Sequence, residues 1–322
     1  MTDPLEQLEQ QQPPPPARRW PVVVTLVVVL VEAAVLGFAA QASGSAVLFA
    51  EAAQSLAGAG VEIFLLVGVR RSERPPSDAH PLGHGREAFF WSLLASVGVF
   101  VGGGAVSLTY GIASFGRDAP GEEYLLGYVV LAFIVVADSW TLFAAVRPFQ
   151  RSPIVGRLGF RRGLRQTADA GARTLIFDNA AAVLGSLVGI GGLAFHQATG
   201  NANADAVASL VIGVLLLATT VALLHVNREL LTDRSIASEV VEAMRRRVLH
   251  QEGIVAVPDL IAVYTGPHDV LVTGTVVLAD DLDVLAVERA LAAVGETLAA
   301  GWPGELRVYL SPVPATDERQ RG

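Results

Sequence analysis

Six long apolar stretches, near residues 21–41, 46–69, 88–112, 124–146, 172–195 and 205–226, fix what this chain can fold into. Each is as long as the ~20 residues that a helix needs to cross the hydrocarbon core of a bilayer. Every backbone N–H and C=O in that medium must be satisfied within the segment, so each stretch is expected to be an α-helix. The first is read as a span and not as a signal peptide. A polar, proline-rich stretch precedes it, and no small-residue cleavage site closes a short apolar core. Composition points the same way: 52% of the 322 residues are hydrophobic and only 17% are charged. That excludes a disordered chain, and a net charge of −8 argues against a nucleic-acid partner. With no cysteine, thiolate metal sites, disulfides and cysteine nucleophiles are excluded.

Residues 1–19 (Gln- and Pro-rich) read as a disordered tail, and 20–232 as the membrane unit. All 23 basic residues are arginine. Arg18 and Arg19 precede span one. Arg70, Arg71, Arg74 and Arg86 lie between spans two and three. Arg147, Arg151, Arg157, Arg161, Arg162, Arg165 and Arg173 lie between spans four and five. The opposite loops hold only Arg117. The positive-inside rule then puts both termini and these arginine-bearing loops in the cytoplasm, and a bacterial plasma membrane is the expected location. Residues 233–322 hold 14 acidic residues against 8 arginines, six of the eight net negative charges. Their expected order is a helix over 238–250 with Ser238 at its N-cap, strands over 254–264 and 270–278, a helix over 284–300 capped by Asp283, and a last strand at E-L-R-V-Y-L. This is a small α+β domain over 233–316 with a tail over 317–322. Its thin core favours oligomerisation.

Charges inside spans are expensive and usually functional. Here they are all acidic: Glu32, Glu51, Glu62, Asp138, Asp178 and Asp205. An acidic interior with no histidine or arginine at mid-span suits a cation. Helical spacing of about 100° per residue puts Glu51, Gln54, Gly58 and Glu62 on one face of span two. Asp178 and Asn179 are adjacent in span five. If these spans pack together, carboxylate and amide oxygens meet near mid-membrane, a donor set for hard or borderline divalent cations. The alternative is that Glu51, Gln54 and Asp178 are interhelical hydrogen-bonding glue, with Gly58 and Gly60 serving close packing. Glu62 stands nearer the cytoplasmic end, as a mouth residue. Glu32, Asp138 and Asp205 are candidates for the pathway or for proton coupling.

Several segments resemble the cation diffusion facilitator family. S-G-S-A-V-L-F-A-E-A-A-Q-S-L-A-G (43–58) is similar to its second span. R-P-P-S-D-A-H-P-L-G-H-G-R-E (74–87) is similar to its H-P-x-G-H-G loop, A-A-A-V-L-G (180–185) to its fifth span and D-A-V-A-S-L-V-I-G (205–213) to its sixth. The pattern over 99–111 and T-G-N before span six are most similar to the subgroup containing the mitochondrial zinc exporter. The resemblance implies a six-helix all-α transmembrane bundle with a ferredoxin-like cytoplasmic domain. It also implies a homodimer exporting zinc or a related divalent metal (manganese, cobalt, iron) in exchange for protons. No resident cofactor and no enzymatic activity are expected.

This sequence departs from the family at the transport site. The family's [HD]-x-x-x-D pairs fall on Gln54 and Gly58 in span two, and on Thr174 and Asp178, or Leu175 and Asn179, in span five. Glu51, one turn from Gln54, either replaces the lost carboxylate or the chain is a transport-inactive homologue, a scaffold or partner subunit. A channel or organic-cation carrier is a weaker third reading. In the loop, Pro81, Gly83 and Gly85 rule out a regular helix presenting His80 and His84, so a structured turn is expected. His268 is read as solvated. Pro258, Leu310 and Pro312 stand where metal-clamping relatives carry ligands, so no such clamp is expected.

Overall fold

In the computed structural model the described residues are 19–116, 124–151, 153–201, 203–300, 302 and 304–313. Apart from Arg19 the expected N-terminal tail, like Arg117 and the closing tail, lies outside them. The six spans are α1 (Arg19–Ser43), α2 (Ala46–Ser72), a third made of α3 (Glu87–Gly98), a π-helical segment (Val99–Ala105) and α4 (Val106–Ser114), then α5 (Tyr124–Gln150), α7 (Ala170–Thr199) and α8 (Asn203–Leu231). All six are long and apolar enough to cross a membrane. Between α5 and α7 stands a helix the sequence reading did not foresee, α6 (Pro153–Gln166), broken at Gly159, whose φ of 73° only glycine adopts without strain.

Spans α2 and α8 pack at the centre. Span α2 touches α1, α3, α7 and α8, and α5 closes the ring between α1 and α7. Leu36, Val47, Leu48, Val61, Leu131, Ile134, Ile212 and Leu216 form the interior. The outside is as apolar as the inside: Phe38, Leu125, Val136, Trp140 and Ile112 are all at least 66% exposed. A surface of this kind is stable against lipid and not against water.

The C-terminal unit runs α9 (Ser238–Leu249), β1 (Ile254–Tyr264), β2 (Val270–Leu278), α10 (Val284–Ala300) and β3 (Leu306–Val313). Strands β1 and β2 pair antiparallel and β2 and β3 parallel, in the order β1-β2-β3. The parallel pair is possible because α10 supplies the crossover. The expected α+β order is present, with one cap right and one wrong. Asp283 Oδ1 accepts from the Ala286 N–H at 2.7 Å. Ser238 does not cap: Ala237 holds the extended cap conformation, and the Ser238 hydroxyl turns to Glu239. Pro258 lies exposed beside a register shift in β1, where a missing N–H breaks no ladder bond.

The thin core of this unit is completed by the bundle. Phe89 of α3, Ala168, Ala170 of α7 and Leu230 of α8 join Met244, Leu260, Val272, Val294 and Leu298 in one buried cluster. Polar straps add to it. Arg86 pairs with Asp233, and Arg307 donates to the Pro81 carbonyl at 2.9 Å. Gly85 lies against the backbone of Thr265 and Gly266, where any Cβ would collide. Asp269 lines the same junction, and burial pushes its carboxyl above the ordinary carboxylate range.

Candidate functional site

Glu51, Gln54 and Glu62 are 1%, 5% and 6% exposed, so the face read from helical spacing is the buried face of α2. What they meet is set by α7, which runs antiparallel to α2 and meets it at two levels. At the first, Ser186 donates to Glu51 Oε2 at 2.9 Å. A Cβ on Gly185 would stand 2.9 Å from Glu51 Oε1 and 3.1 Å from Gln54 Oε1, so a side chain there would push the ends of both aside. At the second, Asp178 faces the hollow left by Gly58, where a Cβ would lie 3.6 Å from Asp178 Oδ2. Seven residues of α2 separate Glu51 from Gly58, about 10 Å along the axis. Asp178 therefore sits one level away from the Glu51–Gln54 pair. Spacing within one helix does not fix this, because the register between two helices is set by tertiary packing.

Two further carboxylates join from the other helices. Glu32 of α1 and Asp138 of α5 are 4% and 8% exposed. Asp138 lies within electrostatic reach of Glu51, Glu32 and Asp178, and Glu62 within reach of Asp178 and Glu32. The five acids form a ladder along the bundle interior, with Glu62 toward the C-terminal unit and Glu51 toward the opposite end. Among the described residues, Glu51 Oε1, Gln54 Oε1 and Glu62 Oε2 are buried acceptors with no hydrogen-bond partner. Unsatisfied buried acceptor oxygens call for a cation or a proton. In this conformation no three His, Asp or Glu among the described residues converge tightly enough to hold a metal ion.

The other candidates are placed elsewhere. Asn179 faces α5: its Oδ1 accepts from Thr141 Oγ1 at 2.6 Å and its amide donates to the Leu175 carbonyl at 2.7 Å. Thr174 is fully buried and bonds Ser92 Oγ at 2.8 Å, in a network that Asn227 joins. Among the described residues nothing lies within 4 Å of a Cβ on Gly60, so it serves no close packing between them. Asp205 caps the far end of α2. It accepts from Ser45 Oγ at 2.9 Å, from the Ala46 N–H and from the Val47 N–H at 3.3 Å. It thus ties α8 to the start of α2, where the helix dipole favours a negative charge. Asp205→Ala is expected to destabilise the protein by about 1–3 kcal/mol, and Asp205→Asn by less because one acceptor survives. Thermal unfolding in detergent measures this, and equal melting temperatures for Asp205→Ala and wild type would contradict the capping role.

His80 and His84 occupy the expected turn. Ser77 and His80 exchange backbone hydrogen bonds at 3.0 and 3.1 Å, and Gly83 takes φ 82°. Their ring centroids lie 4.4 Å apart. His225 is exposed beside Glu229, His196 is buried in the last turn of α7, and His268 is exposed. Arg173, read as a loop arginine, is 1% exposed because α7 begins at Ala170, capped by Asp169.

Sequence reading missed three features of the site. Ser186 carried no signal of its own. Gly185 did: it follows Asp178 by seven residues, two helical turns, and so shares its face. The third is the π-helical segment V-F-V-G-G-G-A, in which a Cβ on Gly103 would lie 3.5 Å from the Gln54 Cα. π-Helical turns inside α-helices recur at functional sites.

Residues 22–232 match the family described as the cation efflux transmembrane domain. The proton-coupled zinc antiporter SLC30A9, mitochondrial, of Xenopus laevis is 31% identical over 224 residues, covering 70% of this chain and 40% of that protein. Metal tolerance protein C4 of Arabidopsis thaliana is 27% identical over 194 residues, covering 60% of this chain and 42% of that protein. The manganese efflux system protein MneP of Bacillus subtilis (strain 168) is 24% identical over 210 residues, covering 62% and 63%. The chain thus spans about two fifths of the length of the first two relatives. The family match covers the six apolar helices and every rung of the carboxylate ladder, and on that ground the chain belongs to the cation efflux family of integral membrane transporters, which are not enzymes.

Proposed function

We propose that this chain exports a divalent metal cation in exchange for protons, as a homodimer, from the side on which its C-terminal unit lies. The observation that carries the proposal is the set of unsatisfied acceptor oxygens on one buried face of α2, in a ladder of five carboxylates with no arginine beside it among the described residues. So many buried anions need neutralising by either a cation or protons, and the two states give an exchanger its alternation. Metal enters past Glu62 and Asp178 and is bound by Glu51 and Gln54 after a shift that brings the two levels of α2 and α7 together. Protons from the far side release it and hold the ladder neutral for the return. The π-helical segment behind Gln54 gives span three the freedom that shift needs. The arginines of the loops beside the C-terminal unit support placing that side in the cytoplasm.

The relatives described as a zinc antiporter and as a manganese efflux protein support a divalent metal. A set of oxygen donors without thiolate or imidazole favours no single one. Manganese, cobalt and iron(II) are therefore expected to compete with zinc at similar concentrations, and a zinc preference above about a hundredfold in a competition assay would count against the oxygen-only site. A second reading, a homologue that does not transport and serves as a partner subunit or scaffold, is favoured by one observation: the described residues form no converged metal cluster. Metal uptake into inverted vesicles, with the pH gradient imposed and then collapsed, separates the two. Export requires uptake that collapses with the gradient, whereas a scaffold gives none in either condition.

A further inference from the structure

The helix α6 and its arginines play no part in the carboxylate ladder. From Ser139 to Ala168 the chain has no acidic residue and six arginines: Arg147, Arg151, Arg157, Arg161, Arg162 and Arg165. After the break at Gly159 the helical residues divide cleanly. Taking about 100° per residue, Phe160, Gly163 and Leu164 fall on one side, and Arg161, Arg165 and Arg162 on the other. Gly163 is buried, Phe160 and Leu164 are half-buried, and Phe160 packs edge-on against Phe149 of α5 at 5.8 Å. Arg161, Arg162 and Arg165 are exposed, and none is in an ion pair among the described residues.

We infer that α6 lies on the bilayer surface and that Arg161, Arg162 and Arg165 bind the anionic headgroups of phospholipids. Three observations converge. The helix is tethered at both ends to membrane spans, with α5 ending at Gln150 and α7 beginning at Ala170. It is amphipathic, with an apolar strip continuous with span four. Its charge is of one sign, on a chain whose net charge is −8. A short basic amphipathic helix held at a span end is the geometry that gathers anionic lipids. The acidic C-terminal unit is a competing counter-surface, and the tether favours the lipid because two to three residues hold each end of α6 at the membrane.

The test uses full-length protein in nanodiscs of equal parts phosphatidylcholine and phosphatidylglycerol, with the headgroups retained after mild detergent extraction measured by mass spectrometry. Wild type is expected to enrich phosphatidylglycerol. Arg161→Gln with Arg162→Gln and Arg165→Gln lowers that enrichment about tenfold or more, whereas the three lysine replacements keep most of it. If the triple glutamine variant does not fold, Arg161→Gln and Arg165→Gln taken singly each lower it about two- to fivefold. Because the chain has no cysteine, Leu164→Cys carries a single nitroxide, whose relaxation by oxygen and by a water-soluble nickel complex gives its depth. A label at headgroup depth supports the inference. Unchanged enrichment in the glutamine variants, or a label fully in water, overturns it. Neither readout involves metal, so failure here leaves the export proposal standing, and the reverse.

Discussion

Glu51→Gln is expected to abolish metal-driven proton exchange, a loss of about a hundredfold or more, while the protein still folds. The substitution keeps the shape and keeps an oxygen that accepts from Ser186, which now bonds Glu51 Oε2 at 2.9 Å. What it removes is the charge that a cation compensates and that a proton neutralises. Glu62→Gln should only weaken exchange, because Glu62 stands at the entry end of the ladder, where Asp178 and Glu32 are within reach. Proton flux in vesicles on addition of metal, beside the melting temperature of each variant, reads both. Normal exchange by Glu51→Gln would show that the site lies elsewhere in the bundle.

The second large effect is a gain. Gln54→His together with Gly58→Asp is expected to raise the preference for zinc over manganese about tenfold or more, by putting an imidazole and a second carboxylate where the oxygen-only set stands. The backbone tolerates the branch point: among the described residues a Cβ at Gly58 meets only Asp178 Oδ2 at 3.6 Å and Val29 Cγ1 at 3.7 Å, ordinary contacts. The introduced carboxylate faces Asp178, so without metal the variant should melt below wild type, and zinc should restore more than it lost. An unchanged metal preference, or melting indifferent to zinc, would mean that Gly58 and Asp178 do not border the transport site.

The sequence was most legible where a local rule decides. Apolar length alone placed six spans, because no other backbone satisfies itself in lipid. The 100° rule put Glu51, Gln54 and Glu62 on one buried face, and Asp283 was found as a cap from its position. It was least legible where two elements meet. Nothing within α2 or α7 says that Glu51 faces Gly185 while Asp178 faces Gly58, so the grouping of Glu51 with Asp178 separates into two levels. Asn179 looked like a donor because it neighbours Asp178, yet 100° of rotation turns it to Thr141. Arg173 counted as a surface charge until α7 began three residues before it. α6 went unread because its glycines and arginines resemble a loop.

Charge compensation is the central claim: metal and protons exchange on the same buried carboxylates. Calorimetric titration of manganese or zinc into the purified full-length protein, repeated in buffers of different ionisation enthalpy, measures the protons released per metal bound. The account predicts release of about one proton or more per metal in wild type and much less in Glu51→Gln. Metal binding with no proton release in wild type, or the same release from Glu51→Gln, would contradict it.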